Sequence, residues 1–211
     1  MSLDLYVVKH GKNLRCGYTT GSCATAAAKA AALMLESGRK IKYVEIDTPA
    51  EIRLKLEVED IEIQDDYVSC AIIKDAGDDP DNTDGMKIYA RVSRRLDGKI
   101  VIDGGIGIGR IKRKGLFGQV GDAAINPVPR LMIEKEVGEV GRGYDVLIYA
   151  PEGEAVGKKT FNSNIGIEGG ISIIGTKGIV YPMSDGALIK TIYLEVDAYA
   201  EEFGKEEIIL V

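Results

Sequence analysis

The sequence has only one histidine, His10, and three cysteines, Cys16, Cys23 and Cys70, among its 211 residues. The cysteines form no C-x-x-C pair, so they indicate neither a disulfide framework nor a thiolate metal site, and they fit the reducing cytoplasm. A single histidine excludes a histidine-rich metal site, and it permits a Ser-His-Asp triad only if His10 serves it. The chemistry of this protein is therefore expected from other residue types.

Long apolar runs and an excess of basic residues are also missing. No stretch approaches the roughly 20 apolar residues that span a bilayer, and the N-terminus lacks the apolar core of a signal peptide. The 27 Lys and Arg against 33 Asp and Glu give a net charge of −6, which argues against general affinity for nucleic acids. We expect a cytoplasmic protein that contacts neither membrane nor nucleic acid and takes a small-molecule partner.

The familiar glycine patterns for nucleotides are absent as well. No G-x-x-x-x-G-K-[ST] stretch exists, which excludes a P-loop. The stretch "GGIGIGR" would need a third glycine at position 110 to match the dinucleotide fingerprint, and Arg110 stands there. Any anion site must therefore be built in another way.

The periodicity that is present predicts an α+β protein with a mainly antiparallel or mixed sheet, packed helices and long glycine-rich loops. Helices are expected over 22–37, with Ser22 as cap and Gly38 as stop, and over Val128–Glu136. Strands are indicated by short apolar stretches: "IKYVEID", "IRLKLEV", "YVSCAII", "MKIYARVS" and "YDVLIYA". The seven glycines within residues 102–130 predict an ordered, irregular loop region.

The C-terminal part carries the clearest amphipathic stripe in the chain. Apolar residues recur at helical spacing, and Gly204 offers a stop; they are Leu188, Ile192, Val196, Tyr199 and Phe203. The final "EEIILV" is typical of the beginning of a strand. We therefore predict one α+β domain over 1–204 and the first strand of a further α/β unit over 205–211.

A cluster of small polar residues, Thr19, Thr20, Gly21 and Ser22, precedes the alanine-rich helix. Free N–H groups and the positive end of the helix dipole make such a position attractive to phosphate or carboxylate. Simple capping explains the same residues, because Ser and Thr are favoured at any helix start. Cys23 follows directly. It is expected to be a small packed residue, although a helix N-terminus can lower the pKa of a thiol.

The second candidate is the acidic stretch "KDAGDDPDNTDG" at residues 74–85, which we call the acidic loop. It does not match a calcium loop, because Gly85 comes one place late and Ala90 stands where the bidentate Glu belongs. A solvated turn, a magnesium site, and carboxylates acting as a base or as partners of a cationic ligand all remain open.

Two basic or polar groups accompany the glycine-rich segments. One is "RIKRKG", with Arg110, Lys112, Arg113 and Lys114, which suits an anionic ligand or an ordinary solvated strand end. The other supplies Lys158, Lys159, Thr160, Asn162 and Asn164. Neither pattern alone decides whether its residues bind a ligand or are simply solvated.

Taken together, five motifs between Leu14 and Ser184 closely resemble the cobalamin-biosynthesis family CbiD. They are "GYTTGSCATAAAKAA", "KDAGDDPDNTDG", "GGIGIGRIKRKGL", "AINPVPRLMI" and "KKTFNSNIGIEGGISIIGTKGIVYPMS". The resemblance implies transfer of a methyl group from S-adenosylmethionine to C1 of cobalt-precorrin-5B in anaerobic cobalamin biosynthesis. It also implies that cobalt comes with the polycarboxylate substrate, that the protein holds no metal of its own, and that the family continues beyond a strand like "EEIILV".

The resemblance gives each polar cluster an expected role. Catalysis would rest mostly on positioning and electrostatics, with four acidic-loop residues near the reacting groups: Lys74, Asp78, Asp79 and Asp81. Substrate carboxylates would be held by Thr19, Thr20, Gly21, Ser22, Arg110, Asn126, Arg130, Lys159, Thr160 and Asn162. A homo-oligomer is a further expectation. The rival hypotheses are a corrinoid-binding subunit without catalysis and, less favoured, a small-molecule kinase.

Overall fold

The computed structural model describes residues 3–184 and five later positions, Ile189, Ile192, Tyr193, Val196 and Ala200, whose backbone is helical. The strands are β1 (Tyr6–Lys9), β2 (Lys12–Arg15), β3 (Gly17–Tyr18), β4 (Tyr43–Asp47), β5 (Arg53–Glu57), β6 (Glu59–Ile63), β7 (Tyr67–Ile73), β8 (Lys87–Arg94), β9 (Ile100–Gly104), β10 (Arg110–Ile111), β11 (Tyr144–Tyr149), β12 (Ile167–Glu168) and β13 (Ile179–Val180). The helices are α1 (Thr20–Ser37), α2 (Pro127–Gly138) and α3 (Gly153–Gly157), with one 3-10 turn at Phe161–Ser163.

The main sheet has five strands in the order β6-β7-β8-β11-β9. Its pairs are antiparallel except β11 with β9, which run parallel. Parallel neighbours need a crossover, and α2 lies between these two strands in the chain. The predicted α+β class with a mixed sheet is confirmed.

Helix α1 forms the centre of the core. Its alanines are fully buried. The helix packs against β7 and β8, against α2, and against β4 of the β4–β5 hairpin. Small side chains allow this close approach, and a helix that is apolar on all sides belongs in the interior. No helix in the described part is long and apolar enough to cross a membrane.

The structure corrects the start of α1. The helix begins at Thr20, and its N-cap is Thr19, whose hydroxyl accepts the N–H of Ser22 at 3.2 Å. Ser22 therefore lies inside the first turn and is not the cap. The predicted stop is confirmed, since Gly38 is left-handed with φ 64° and donates to the Met34 carbonyl. Helix α2 extends the predicted Val128–Glu136 by one residue at its start and two at its end.

The glycine-rich segment after β9 is packed against the protein's own backbone. Gly107 has φ +75°, and a Cβ there would overlap the carbonyl oxygen of Ala150 just after β11. A Cβ at Gly170 would in turn overlap the Gly107 carbonyl. Three chain segments thus meet backbone to backbone, which only glycine permits.

Two sequence predictions fall largely outside the described residues. The five described helical positions lie within the predicted helix over 188–203, whereas Leu188, Tyr199 and Phe203 lie outside the described part. The predicted strand at 205–211, and with it the domain boundary at residue 204, also lies outside it. Both stay predictions.

Candidate functional site

The acidic loop is folded around a buried ion pair. Lys74 lies just after β7, its side chain is 2% exposed, and its Nζ donates to Oδ2 of Asp81 at 2.8 Å. Oδ1 of Asp81 accepts both the N–H and the hydroxyl of Thr83, at 2.7 and 2.6 Å. Burial raises the pKa of Asp81, but the Lys74 ammonium and the Thr83 bonds outweigh it and leave the pKa below its ordinary value.

The other carboxylates of the loop also accept hydrogen bonds from the fold. Asp78 accepts the Arg15 N–H at 2.6 Å, Asp79 accepts the Met183 N–H at 3.0 Å, and Asp84 accepts the Ala76 N–H at 2.7 Å. These bonds tie the loop to β2 and to the segment after β13. The aspartates therefore order the loop, through local turns and through contacts to neighbouring segments.

Asp75 forms the loop's second ion pair. The Arg15 guanidinium donates to both of its carboxylate oxygens, at 2.6 and 2.8 Å, and these bonds lower the pKa of Asp75. Among the described residues, no three His, Cys, Asp or Glu side chains are grouped to hold a metal ion.

The start of α1 is buried, and its hydroxyls contact the segment 172–178. Thr20 is 2% exposed; its Oγ1 accepts the Ile174 N–H at 2.9 Å and lies 3.2 Å from the Ser172 carbonyl. Ser22 is fully buried and donates to the Gly178 carbonyl at 2.7 Å. The Gly21 N–H donates to the Ile174 carbonyl at 2.9 Å. The hydroxyl and N–H groups that could bind an anion at this helix start therefore make contacts within the fold.

The start of α2 offers few free donors. Pro127 and Pro129 have no N–H, and the Arg130 N–H donates to the Asn126 carbonyl at 3.1 Å. The Arg130 guanidinium donates to the carbonyls of Ile125 and Ile102, both at 3.0 Å. The Asn126 side chain makes no cap bond, and its buried Oδ1 has no hydrogen-bond partner within the described part.

Arg110 also supports the strand β9. It donates to Oδ1 of Asp103 at 2.7 Å and to the Gly104 carbonyl. Burial raises the pKa of Asp103, and the Arg110 bond reverses that effect, so that the net pKa is lowered. Arg110 and Arg130 therefore both bind backbone carbonyls of β9, at Gly104 and Ile102.

Several of the predicted substrate-binding residues come together around Ser172. Its Oγ donates to Oδ1 of Asn162 at 3.0 Å, and its carbonyl faces Thr20. The Asn126 N–H donates to the carbonyl of the next residue, Ile173, at 3.0 Å. Thr160 lies two residues from Asn162 and donates to the Gly157 carbonyl at 2.8 Å.

The acidic loop reaches this region at one point. Asn82 donates through its side chain to the Lys159 carbonyl at 2.9 Å. The Lys159 side chain itself is exposed. The two predicted groups of residues are thus neighbours, joined through a backbone contact.

The thiols and the histidine take no part in this site. Burial raises the pKa of Cys23 and of Cys70 to about 12, so burial outweighs the helix N-terminus beside Cys23. His10 is exposed at the tip of the β1–β2 hairpin, with φ 50°.

The family model described as CbiD matches residues 7–182. This match spans more than half of the chain. The chain belongs to the CbiD family.

Named relatives agree with the family match. This CbiD chain is 70% identical over 210 residues to the cobalt-precorrin-5B C(1)-methyltransferase of Alkaliphilus oremlandii, with 99% of the chain and 59% of that protein covered. It is 62% identical over 217 residues to the enzyme of that name from Treponema denticola, with 100% of the chain and 60% of that protein covered. The chain thus spans about three fifths of the length of these relatives.

A solved structure is similar as well. The crystal structure of the cobalamin biosynthesis protein CbiD from Archaeoglobus fulgidus has a TM-score of 0.64 and 29% identity, with 91% of this chain and 63% of that chain covered. The mixed α+β fold is therefore also found in a CbiD protein solved by crystallography.

Sequence reasoning missed a buried ion pair in this CbiD chain. Glu136 is 1% exposed, and its carboxylate accepts from Lys29 Nζ at 2.5 Å and from the Asp47 N–H at 3.1 Å. The pair joins α1 to α2 across 107 residues of sequence. Its only sequence signal is a lysine within an alanine run. Sequence reasoning also missed Arg15, Asp75 and Ser172, because the residues that they contact are distant in the chain.

Proposed function

We propose that this chain contains the precorrin-binding part of a cobalt-precorrin-5B C1-methyltransferase that uses S-adenosylmethionine in anaerobic cobalamin biosynthesis. The observation that carries the proposal is the 70% identity over 99% of the chain to a protein of that name. The cobalt belongs to the substrate. The three free, buried cysteines fit action in the reducing cytoplasm.

Methylation of a ring carbon requires the macrocycle to be held in one orientation with its reacting face open. S-adenosylmethionine would supply the methyl group. Positioning and electrostatics then account for most of the catalysis, and the protein needs no nucleophile of its own. The high pKa of the buried thiols agrees with that requirement.

The glycine-rich turn after β9 does not fit the methyl donor. A Cβ at Gly107 would overlap the Ala150 carbonyl, and one at Gly109 would meet Ile167 and the Gly170 carbonyl, so the protein itself fills the space beside these two glycines. We therefore assign this turn to the folding of the chain and not to the methyl donor.

Within this proposal the predicted residues have different tasks. Thr20, Ser22 and Asn162 hold the segment 170–178 in place, and Arg110 and Arg130 bind backbone carbonyls of β9. Lys159 keeps an exposed ammonium for a substrate carboxylate. The acidic loop contributes through the Lys74–Asp81 pair, which holds it against β7.

A second candidate function is corrinoid binding without methyl-donor binding. It is favoured by one observation: all five aspartates of the acidic loop accept hydrogen bonds from within the fold. Each of them thus has a partner within the fold, which accounts for the aspartates without contact to a sulfonium group or a ring proton.

Calorimetric titration of the purified chain separates the two candidates. We expect the precorrin to bind, and S-adenosylmethionine to bind when the precorrin is present, with methyl transfer seen by mass spectrometry as the gain of one methylene unit. Precorrin binding without donor binding supports the second candidate. Absence of binding to both ligands overturns both.

A further inference from the structure

Two segments of this acidic protein carry basic residues and no acidic ones. Residues 104–121 contain Arg110, Lys112, Arg113 and Lys114, and residues 155–167 contain Lys158 and Lys159. Both lack Asp and Glu entirely, although the chain as a whole has a net charge of −6. If they lie together, they form a local positive surface.

The fold brings these two segments into contact. Strand β10 pairs with β12, with Ile111 opposite Ile167. The Lys112 N–H donates to the Gly166 carbonyl at 2.8 Å, and the Arg113 guanidinium lies 3.4 Å from the Asn164 carbonyl. The stem of Arg113 covers Gly166, where a Cβ would lie 2.6 Å from its Cδ.

Not all of these cations are available to a ligand. Arg110 binds Asp103 and the Gly104 carbonyl, Arg113 lies against Asn164, and Lys158 pairs with Glu154 at 3.4 Å. The remaining three are exposed, and their ammonium groups have no ion-pair partner in the part of the chain that the structure describes: Lys112, Lys114 and Lys159.

Aromatic side chains accompany the free ammonium groups. The chain has three phenylalanines, and two of them, Phe117 and Phe161, lie in these loops. Phe161 is 42% exposed and follows Lys159 by two residues. An exposed apolar ring close in sequence to an exposed cation suits a ligand that is flat and apolar at its centre and carboxylated at its rim.

We propose that Lys112, Lys114, Lys159 and Phe161 form the surface that binds the carboxylated macrocycle. This basic-aromatic surface rests on the proposed function, because it names where the substrate of that function is held. The lysines bind the carboxylate arms, and Phe161 contacts the ring. The helix starts and the arginines Arg110 and Arg130 support the surrounding loops and do not touch the ligand.

The test uses uroporphyrin, a porphyrin with carboxylate arms on every pyrrole ring, and follows its fluorescence on titration with the purified chain. The triple variant Lys112→Gln, Lys114→Gln, Lys159→Gln should lose about tenfold in affinity, since each exposed charge contact is modest. The control triple variant Lys12→Gln, Lys40→Gln, Lys99→Gln changes the net charge equally and should keep the wild-type affinity. Equal losses in both variants, or none in the first, overturn the proposal.

A second pair of variants tests the aromatic part. Phe161→Ala should lower the affinity for uroporphyrin several-fold, and Phe161→Leu should lose less, because it keeps apolar area. Citrate, which has carboxylates but no ring, should compete poorly with the wild-type chain. Unchanged porphyrin affinity in Phe161→Ala, or effective competition by citrate, overturns the role of the ring contact.

Failure of the surface and failure of the proposed function give different results. If the function is right and the surface wrong, the triple lysine variant binds the precorrin with wild-type affinity. If the surface is right and the function wrong, porphyrin binding depends on the three lysines while the precorrin is not methylated in the presence of S-adenosylmethionine.

Discussion

The ammonium of Lys74 lies 2.8 Å from the carboxylate of Asp81, and the lysine side chain is almost fully buried. The two residues are seven positions apart, at the start and the middle of the acidic loop. An ammonium out of water requires a carboxylate close by, because burial of an unpaired charge is costly. This pair therefore fixes the conformation of a loop that otherwise consists of turn-forming residues.

Replacing Asp81 by Asn should destabilise the protein strongly. The amide keeps the shape but removes the charge that compensates Lys74, and we expect a loss of about 3 kcal/mol in the free energy of unfolding. Urea unfolding followed by circular dichroism measures it. Asp65→Asn, at an exposed position, is the control and should change stability by about 0.5 kcal/mol or less. Equal midpoints for Asp81→Asn and the wild type would contradict the role of the pair.

The ion pair between Arg15 and Asp75 predicts a pH dependence. The Arg15 bonds lower the pKa of Asp75, so the pair contributes stability above the unfolded pKa of about 3.9, and that contribution is lost as the pH falls through the lower pKa of the folded state. The stability difference between the wild type and Asp75→Asn should be constant from neutral pH to about pH 5 and shrink below about pH 4. Urea titrations at a series of pH values test this. A difference that does not change with pH would show that the charge of Asp75 is unimportant.

Local features of this fold could be predicted from the sequence. The stop of α1 at Gly38 follows from the freedom of glycine to adopt a left-handed conformation, and the polar residues before the helix do cap it, through Thr19. The assignment of the cap to Ser22 was wrong by three residues, because either hydroxyl fits the local pattern. Only the backbone path, with Thr19 extended at ψ 163°, distinguishes them.

The partners of the polar residues could not be predicted, because they are distant in the sequence. Thr20 meets Ile174 across 154 positions, and Arg15 meets Asp75 across 60. A hydroxyl that binds a ligand and one that binds a distant carbonyl look alike in one sequence. Arg110 and Arg130 are ambiguous in a similar way, because a guanidinium that binds a substrate carboxylate and one that binds backbone carbonyls of β9 look alike in one sequence.

Two glycines of the acidic loop form a matched test of its packing. Gly77 and Gly85 have φ +69° and +73°, so alanine is strained equally at both, by about 1 kcal/mol. A Cβ at Gly77 would also overlap the Arg15 carbonyl, whereas Gly85 has no atom within 4 Å of that position. Gly77→Ala should therefore lose at least about 2 kcal/mol more stability than Gly85→Ala in urea unfolding. Equal losses would mean that β2 and the loop do not approach this closely.

Substitutions of Thr20 test whether the start of α1 serves folding or ligand binding. Thr20→Val leaves the Ile174 N–H without its acceptor, and we expect a loss of about 2 kcal/mol in the free energy of unfolding. Thr20→Ser keeps the hydroxyl and should recover most of that stability. Because the group contacts backbone and is 2% exposed, the affinity of folded Thr20→Val for uroporphyrin should equal that of the wild type. Wild-type stability together with weakened porphyrin binding would instead assign Thr20 to the carboxylates of the ligand.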